Sequence, residues 1–301
     1  MTGATRSEAT WWVIVNPAAG HGADITERTR VALRGRGIRN ELWISESPAH
    51  LGELAKLGRQ RGATRFASVG GDGTAHLLIN ALLSEPWRDP PTVAILPAGS
   101  GSDFIRTFAL PKRLEDAVAH LDTDAVYPTD IGVIQGSFGT RRFLNVADVG
   151  VAAGAAEFAA RLPSRLGVLR YSAGFWLTLA SHRPVAIELT VGDRTFLGPA
   201  INVVMANGQY FGGGLNIAPR ATVMDGLLDI QVFSGPRRQA FSVMPRVIRG
   251  LHLSHPGVRR FIGSEFALES EVPLPVEADG EMIGSGSVKG WLEPGAIRFK
   301  I

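Results

Sequence analysis

The sequence predicts an α/β domain followed by a mainly antiparallel β domain. Up to about residue 122, short apolar runs alternate with stretches of helical periodicity, which is typical of a parallel sheet covered by helices on both faces. Beyond Asp124, strand-like runs follow one another and are separated by turn residues such as Gly192-Asp193. At 301 residues the chain also exceeds the size, about 250 residues, at which single cores usually stop growing. We therefore expect two domains, 1–125 and 126–295, with a last strand, 296–301, that is free to return to the first.

The composition is that of an ordinary globular protein, with 45% hydrophobic and 20% charged residues. The formal net charge of +3 is small and no polybasic tail occurs, so nucleic acid is not indicated as a partner. The absence of cysteine excludes disulfides and thiolate zinc sites and fits a reducing cytoplasm. The longest uncharged stretch, 195–219, is rich in Gly, Pro and Asn, so we predict strands and loops there and no transmembrane segment.

The elements of the first domain follow from their apolar patterns. The continuous apolar run Trp11–Val15 predicts a buried strand, which ends in the glycine-containing loop 16–22. Helical spacing over 24–34 predicts a helix whose inward residues are Ile25, Val31 and Leu33. The other predicted elements are strands at 42–44, 66–69 and 93–96 and helices at 48–60 and 75–83.

The loop Gly70-Gly71-Asp72-Gly73-Thr74 lies between a predicted strand and a predicted helix. Glycines allow backbone angles closed to other residues and bring N–H groups close to a ligand. The first N–H groups of a helix have no intrahelical partner and therefore attract anions. Because Asp72 would repel a phosphate, its presence makes sense mainly if a cation such as Mg²⁺ lies between them. The loop predicts a phosphate site, although a plain strand-to-helix connection remains an alternative.

The second domain is predicted from short strand-like runs and two helical inserts. The strands are at 127–134, 142–146, 186–191, 201–206, 228–233, 266–268 and 276–278. One insert covers 153–181, with a break at Pro163, and the other 238–251. The first insert and its end carry Arg161, Arg165 and Arg170 beside aromatic and aliphatic residues, which suits the surface of an anionic membrane. A helix packed on its own sandwich is the alternative. We interpret His252 and His255 as ordinary surface histidines, since no third metal ligand accompanies them.

Seven motifs occur in an order that resembles the diacylglycerol kinase catalytic family, which includes bacterial lipid kinases, sphingosine kinases and ceramide kinases. Each is weak alone, but together they span nearly the whole chain and are specific. The motifs are Val15-Asn16-Pro17 with Gly20, Gly70–Thr74, Leu96–Phe104, Asp130-Ile131-Gly132, Asn207–Gly214, Asp225–Asp229 and Asp279-Gly280-Glu281.

This resemblance implies a phosphofructokinase/NAD-kinase-like nucleotide domain, an antiparallel β-sandwich domain and an active site in the cleft between them. It further implies a cytoplasmic, ATP-dependent lipid kinase that uses Mg²⁺ and transfers the γ-phosphoryl group to the hydroxyl of diacylglycerol or a related lipid. The lipid would be met at a membrane surface, with peripheral contact at its inner face, and relatives are often homodimers. The residues matching the family's nucleotide site are Asn16, Ser45, Gly70, Gly71, Asp72, Gly73, Thr74 and Ser100.

The resemblance also assigns metal ligands and a base. Asp72, Asp103 and Asp130 match the carboxylates that organise catalytic Mg²⁺ through water. Asp225 and the backbone carbonyl of Leu227 match a separate structural Mg²⁺ site.

Asp279 is the expected general base, because phosphoryl transfer needs a group that positions the acceptor hydroxyl and takes its proton. Glu281 is the second candidate, and an ordinary Asp-Gly turn between strands is the alternative explanation of this motif.

The chain departs from the family pattern at several positions, among them His21, where some relatives carry a basic residue. Ser100 and Ser102 stand where relatives usually have Thr and Asn, and His76 stands where Asn is usual. Two other functions compete with the lipid kinase. A soluble kinase of the NAD kinase type shares the Gly-Gly-Asp-Gly turn, but its Asn-Glu pair downstream of the turn is absent here, since the only Asn-Glu is Asn40-Glu41. A nucleotide-binding regulator without catalysis is the other alternative, and retention of the four expected catalytic aspartates speaks against it.

Overall fold

The computed structural model describes residues 10–19, 24–98, 102–155 and 169–301. The chain divides into two compact units. Unit 1 contains the residues up to Thr129 together with Gly295–Ile301, and unit 2 contains Asp130–Pro294.

The described helices are α1 (Ile25–Gly35), α2 (Pro48–Gln60), α3 (Asp72–Leu82), α4 (Asp103–Thr107), α5 (Leu114–Ala117), α6 (Leu169–Ser181) and α7 (Ala240–Ile248). The strands are β1 (Trp11–Val15), β2 (Asn40–Ile44), β3 (Arg65–Gly70), β4 (Thr92–Pro97), β5 (Val126–Gly136), β6 (Gly139–Phe143), β7 (Val146–Gly150), β8 (Val185–Val191), β9 (Arg194–Ala206), β10 (Tyr210–Phe211), β11 (Leu215–Asn216), β12 (Leu228–Ser234), β13 (Val258–Gly263), β14 (Glu265–Ser270), β15 (Pro275–Ala278), β16 (Glu281–Ser285) and β17 (Val288–Lys300).

Unit 1 is built on a parallel sheet. Its strand order is β2-β1-β3-β4, and the end of β17 pairs with β4 in parallel. A parallel strand flanked by helices is buried on both faces, which is why β1 reads as an unbroken apolar run and is buried at every position. The alternation of strands and helices in the sequence therefore produced the predicted architecture.

Helix α1 differs from its prediction at one residue. Ile25 and Leu33 are buried as expected, but Val31 is 60% exposed. The inward face instead runs through Thr29, one helical turn from both Ile25 and Leu33, and the Thr29 hydroxyl donates to the Ile25 carbonyl at 2.7 Å. An intrahelical bond of this kind lets a threonine occupy a core position that the hydrophobic pattern assigned to valine.

The end of β17 completes the core of unit 1. Ile297 and Phe299 are fully buried, and Arg298 and Phe299 pair with Thr92 and Val93 of β4. The Phe299 ring lies edge-on to Phe104, with ring centroids 4.9 Å apart. A strand contributed by residues far along the sequence thus forms part of the parallel sheet of unit 1.

Unit 2 is antiparallel. Its strands are ordered β16-β15-β7-β9-β8-β14-β17, β12 pairs with both β9 and β13, and β5 pairs with β6. One apolar cluster joins the inner faces of most of these strands, including Ala147 and Val149 of β7. Val146 of the same strand belongs to a second cluster, together with Val243 and Val247 of α7. Strand β7 is therefore buried on both faces, between a sandwich core and a helical layer.

The two helical inserts lie in unit 2. The first is described as a helical segment at 151–155 and as α6, and its middle, with Pro163, Arg161 and Arg165, lies outside the described residues. The second insert forms α7, which contains Pro245. Among the described helices, none has the length and apolarity needed to cross a bilayer.

Candidate active site

The glycine-rich loop lies where β3 passes into α3. The helix begins at Asp72 and not at residue 75, so Asp72, Gly73 and Thr74 form its first turn and Gly71 is the N-cap residue. This corrects the predicted helix boundary. Gly71 offers no side chain to the first helical N–H groups, which leaves that end of α3 suited to an anion supplied from outside.

The glycines of this loop are required for space and not for unusual backbone angles. None of Gly70, Gly71 and Gly73 has a positive φ. A Cβ on Gly70 would lie only 2.2 Å from Oγ1 of Thr74, so the close approach of Thr74 to the strand end excludes any side chain there. The prediction that the glycines supply special φ values was wrong, whereas a close backbone approach is present.

The carboxyl ends of four strands meet around this turn. Asn16 follows β1, and its Nδ2 donates to Oγ1 of Thr74 at 3.1 Å while its Oδ1 accepts from the Ala18 N–H at 3.0 Å. The Ala98 N–H after β4 donates to the Gly70 carbonyl at 3.0 Å. Ser45 after β2 is buried, and its hydroxyl donates to the Val15 carbonyl at 3.2 Å. Open parallel sheets bind ligands at this edge.

Asp72 and Asp103 are adjacent within unit 1. Both carboxylate oxygens of Asp72 accept from the Asp103 N–H, at 3.2 and 3.0 Å, so Asp72 caps the start of α4. The Asp103 carboxylate is buried, and its Oδ1 lies 3.7 Å from Nε of Arg106. Ser102 is the N-cap residue of α4, His76 is buried in α3, and Ser100 lies outside the described residues.

Asp130 belongs to unit 2 and is held by the turn that contains Asp225. Its Oδ2 accepts from the Gly226 N–H at 2.8 Å, and its N–H donates to the Val223 carbonyl at 2.7 Å. The Asp225 Oδ1 in turn accepts from the Leu227 N–H at 3.0 Å. Residues that the resemblance assigned to two different metal sites are therefore joined by one hydrogen-bonded turn.

Asn207 is a positioning residue that the sequence reasoning mentioned only as part of a motif. It is fully buried, and its Nδ2 donates to the carbonyls of Asp130 and Leu144 at 2.8 and 2.7 Å. The only sequence signal for this role is a polar residue directly after an apolar strand.

Asp279 occupies the tight turn between β15 and β16. Its φ is +50° and that of Gly280 is +90°, so both loop residues have the left-handed conformation of a two-residue hairpin. The carboxylate folds back onto the segment before β7: Oδ1 accepts from the N–H groups of Asn145 and Val146 at 2.9 and 3.2 Å, and Oδ2 from Leu144 at 2.8 Å. The turn interpretation is thus correct, and the carboxylate is also rigidly positioned. Glu281 is exposed at the start of β16.

A second carboxylate pair, which the sequence analysis missed, lies inside unit 2. Asp148 of β7 and Glu277 of β15 are register partners, and each is only 1% exposed. Burial raises the pKa of Asp148 to about 7, an effect that the nearby Ala153 N–H and Asn202 side chain offset only in part. Burial and the charge of Asp148 raise the pKa of Glu277 as well. A lone Asp within the apolar run 146–151 was the available signal.

The surface interpretation of His252 was wrong. Its side chain is fully buried, with Nε2 2.8 Å from Oε1 of Gln231 and 2.9 Å from the Ile217 carbonyl, and burial lowers its pKa. His255 is partly buried, with Nε2 2.9 Å from the Ser242 hydroxyl. Within either unit, the described residues contain no group of three His, Asp or Glu side chains able to hold a metal by themselves.

Two family models match the chain and identify its class, a kinase with an α/β domain followed by a β-sandwich domain. The family model of the diacylglycerol kinase catalytic domain matches residues 10–134, and that of the YegS C-terminal NAD kinase beta sandwich-like domain matches residues 145–300, more than half of the chain. The chain belongs to this family of lipid kinases, as the order of motifs predicted.

Curated relatives and solved structures agree with this assignment. The chain is 26% identical to a candidate lipid kinase, YtlR of Bacillus subtilis (strain 168), over 96% of this chain and 99% of the relative. It is 29% identical to a diacylglycerol kinase of Mycobacterium tuberculosis (strain ATCC 25618 / H37Rv), over 88% and 90% of the two chains. A diacylglycerol kinase structure from Bacillus anthracis str. Sterne shares the fold, with a TM-score of 0.71, 19% identity and coverage of 97% and 96%. The predicted fold class is confirmed.

Proposed function

We propose that this lipid kinase transfers the γ-phosphoryl group of ATP to the hydroxyl of diacylglycerol or a related lipid, with Mg²⁺. The observation that carries the proposal is the orientation of the Asp279 carboxylate. Three backbone N–H groups hold this carboxylate in one orientation, which suits a group that must meet a substrate hydroxyl in a fixed geometry. In the proposed reaction the lipid oxygen bonds to the γ-phosphorus, the bond to the ADP oxygen breaks, and the hydroxyl proton passes to Asp279.

The described residues fit a nucleoside triphosphate. The first turn of α3, capped only by Gly71, presents N–H groups to an anion, and Asn16 and Thr74 supply polar side chains beside it. Ser45 and Ser100 complete the proposed nucleotide set. Ser45 would contact the nucleotide only as an acceptor or after rotation, since its hydroxyl now donates to Val15.

Mg²⁺ also fits, because this ion keeps several waters and is usually held by one or two carboxylates together with substrate phosphates. Asp72 and Asp103 in unit 1 and Asp130 in unit 2 are the proposed carboxylates, and the Asp225 carboxylate with the Leu227 carbonyl is the proposed structural site. When bound, the ion neutralises charge on the phosphates. Asp72 already orders the start of α4, so its role without metal is to hold Asp103 in position.

We also propose that the protein is cytoplasmic and meets its lipid at the inner face of a membrane, which the first helical insert would contact. A homodimer is part of the same proposal by family likeness. Phosphorylation of NAD, and nucleotide binding without catalysis, are the two competing functions that the experiment tests.

The test is incubation of the purified chain with γ-labelled ATP and Mg²⁺ and, separately, diacylglycerol, phosphatidylglycerol, sphingosine, ceramide and NAD. Label that enters one of the lipids supports the proposal. Label on NAD alone would identify a soluble NAD kinase, and label on none of them, with tight ATP binding, would identify a regulator. Omission of Mg²⁺ with excess chelator should abolish incorporation.

A further inference from the structure

Helices α6 and α7 of unit 2 present a group of exposed apolar side chains, which we call the α6–α7 surface. It consists of Trp176, Leu177, Phe241, Ile248 and Leu251, whose exposure ranges from 36% to 71%. Large apolar side chains so close together and so exposed are uncommon outside interaction sites.

The two helices are packed so that this surface faces away from the core. In α7, Val243 and Val247 are buried, while Phe241, Pro245 and Ile248 are exposed at positions spaced as one helical stripe. In α6, Phe175 and Leu179 pack against a buried cluster with Ile201. The exposed rings of Trp176 and Phe241 stack across the two helices, with centroids 4.8 Å apart and planes 19° apart. The contact between Trp176 and Phe241 therefore joins the exposed apolar side chains of the two helices.

The charged side chains on α7 and its flanks, as far as the structure describes them, are all arginines. Arg237, Arg238, Arg246 and Arg249 are all exposed on α7 and its flanks. No acidic residue occurs between Asp229 and Glu265, or between Glu157 and Glu188 in the segment that contains α6. Arg237 also donates to the Ala180 carbonyl at the end of α6, which ties the two helices together. Exposed apolar side chains flanked by arginines match an anionic bilayer, because the apolar groups can enter the interface while the guanidinium groups contact the headgroups.

We propose that the α6–α7 surface binds an anionic lipid bilayer, with Trp176, Phe241, Ile248 and Leu251 entering the interface and the arginines contacting headgroups. This proposal rests on the proposed function and extends it, because the lipid substrate of such a kinase resides in a bilayer. It adds α7, an element of the second insert, to the membrane contact that the sequence suggested for the first insert alone.

The test is sedimentation of the full chain with vesicles of phosphatidylcholine alone or of phosphatidylcholine with 30% phosphatidylglycerol. We expect binding to the anionic vesicles and weak binding to the neutral ones. The double variant Phe241→Ser, Ile248→Ser should lower the partition coefficient about tenfold. The triple variant Arg238→Gln, Arg246→Gln, Arg249→Gln should lower it about fivefold per arginine and reduce its dependence on salt. Leu197→Ser is the matched control, since Leu197 is 78% exposed on β9, and it should bind as the unmodified chain does.

Absence of binding to anionic vesicles, or equal binding by the double variant and the control, would overturn the proposal. So would a sedimentation-velocity result in which the chain is a dimer that Phe241→Ser, Ile248→Ser converts to a monomer, because a second copy would then cover the surface. Vesicle binding is measured without ATP, so it does not depend on the kinase reaction. Circular dichroism of each variant establishes that it is folded.

Discussion

At the scale of single residues, the aspartates of this chain differ in what surrounds them. Asp72 and Asp279 accept hydrogen bonds from backbone amides, which fixes both carboxylates by groups that no side-chain substitution removes. Asp148, in contrast, is the register partner of Glu277 and lies on the face of β7 opposite the sandwich core that contains Ala147 and Val149. Carboxylates held by backbone N–H groups, as in Asp72 and Asp279, suit chemistry that needs a positioned anion. The buried Asp148–Glu277 pair favours protonated carboxyl groups, because burial disfavours their charged forms.

Replacement of Asp279 by Asn should lower turnover by about two to four orders of magnitude, because the variant loses the proton acceptor. The amide nitrogen of Asn cannot accept a backbone N–H, so at least one of the three bonds to this side chain is lost, and circular dichroism of the variant establishes that the protein stays folded. Initial rates with the phosphorylated lipid measure this. Glu281→Gln, two residues away and exposed, is the control and should retain most activity. Near-normal turnover of Asp279→Asn would remove this residue from the mechanism.

The Asp148–Glu277 pair should make stability depend on pH. Since burial raises the pKa of Asp148 from its ordinary value to about 7, the folded state holds protons that the unfolded state has lost, and stability falls as pH rises from about 4 through about 7. Asp148→Asn should therefore raise the Tm at pH 8.5 by roughly 5 °C and change it little at pH 5.

Asp193→Asn in the exposed β8–β9 turn is the control for this effect and should leave the pH dependence unchanged. A parallel shift of the Tm at both pH values would show that Asp148 acts through packing alone. The pairing itself was not predictable, because it depends on the register of strands more than 120 residues apart in the sequence.

At the scale of elements, continuous apolar runs predicted β1, β3 and β4 well, since their burial on both faces leaves a strong pattern. The start of α3 was predicted three residues late, because glycines argue against helix while Asp72 and Thr74 suit a first turn. The strand at 296–301 was expected, but its neighbour was not, since local sequence carries no information on which sheet edge is open.

The end of β17 should contribute strongly to the stability of unit 1. Phe299 is fully buried against Phe104 and Phe108, with centroids 4.9 and 4.8 Å away, so Phe299→Ala should lower the free energy of unfolding by about 3–5 kcal/mol. Phe241→Ala is the matched control. That ring is 71% exposed, and the change should cost no more than about 0.5 kcal/mol. Equal urea midpoints for the two variants would contradict a core role for β17.

At the scale of the whole molecule, the two units have separate apolar cores, one around the parallel strands and the other inside the antiparallel strands. The change from alternating strands and helices to successive strands near residue 124 lies close to the division between the units at residue 130, and each sheet type has its own hydrophobic pattern. The site was predicted less completely. The motifs identified the candidate carboxylates. The backbone N–H groups that hold Asp279, and the bonds from Asn207 to the backbone of Asp130 and Leu144, have no sequence signature.

A nucleotide that binds as proposed should protect unit 1 locally. Addition of ATP and Mg²⁺ should slow hydrogen exchange in peptides that contain Gly70–Thr74 and the start of α4, because ligand binding suppresses local opening. Hydrogen-exchange mass spectrometry measures this, with peptides from α1 serving as the internal reference. Unchanged exchange at Gly70–Thr74 under saturating nucleotide would place the phosphates elsewhere.

The position of β17 has a consequence for biosynthesis. A ribosome makes residues 295–301 only after all of unit 2 has been translated, so the nascent sheet of unit 1 keeps an unpaired edge along β4 until then. Unpaired strand edges of this kind promote aggregation of nascent chains. A premature stop codon near the 3′ end of the coding sequence would leave the edge of β4 permanently unpaired.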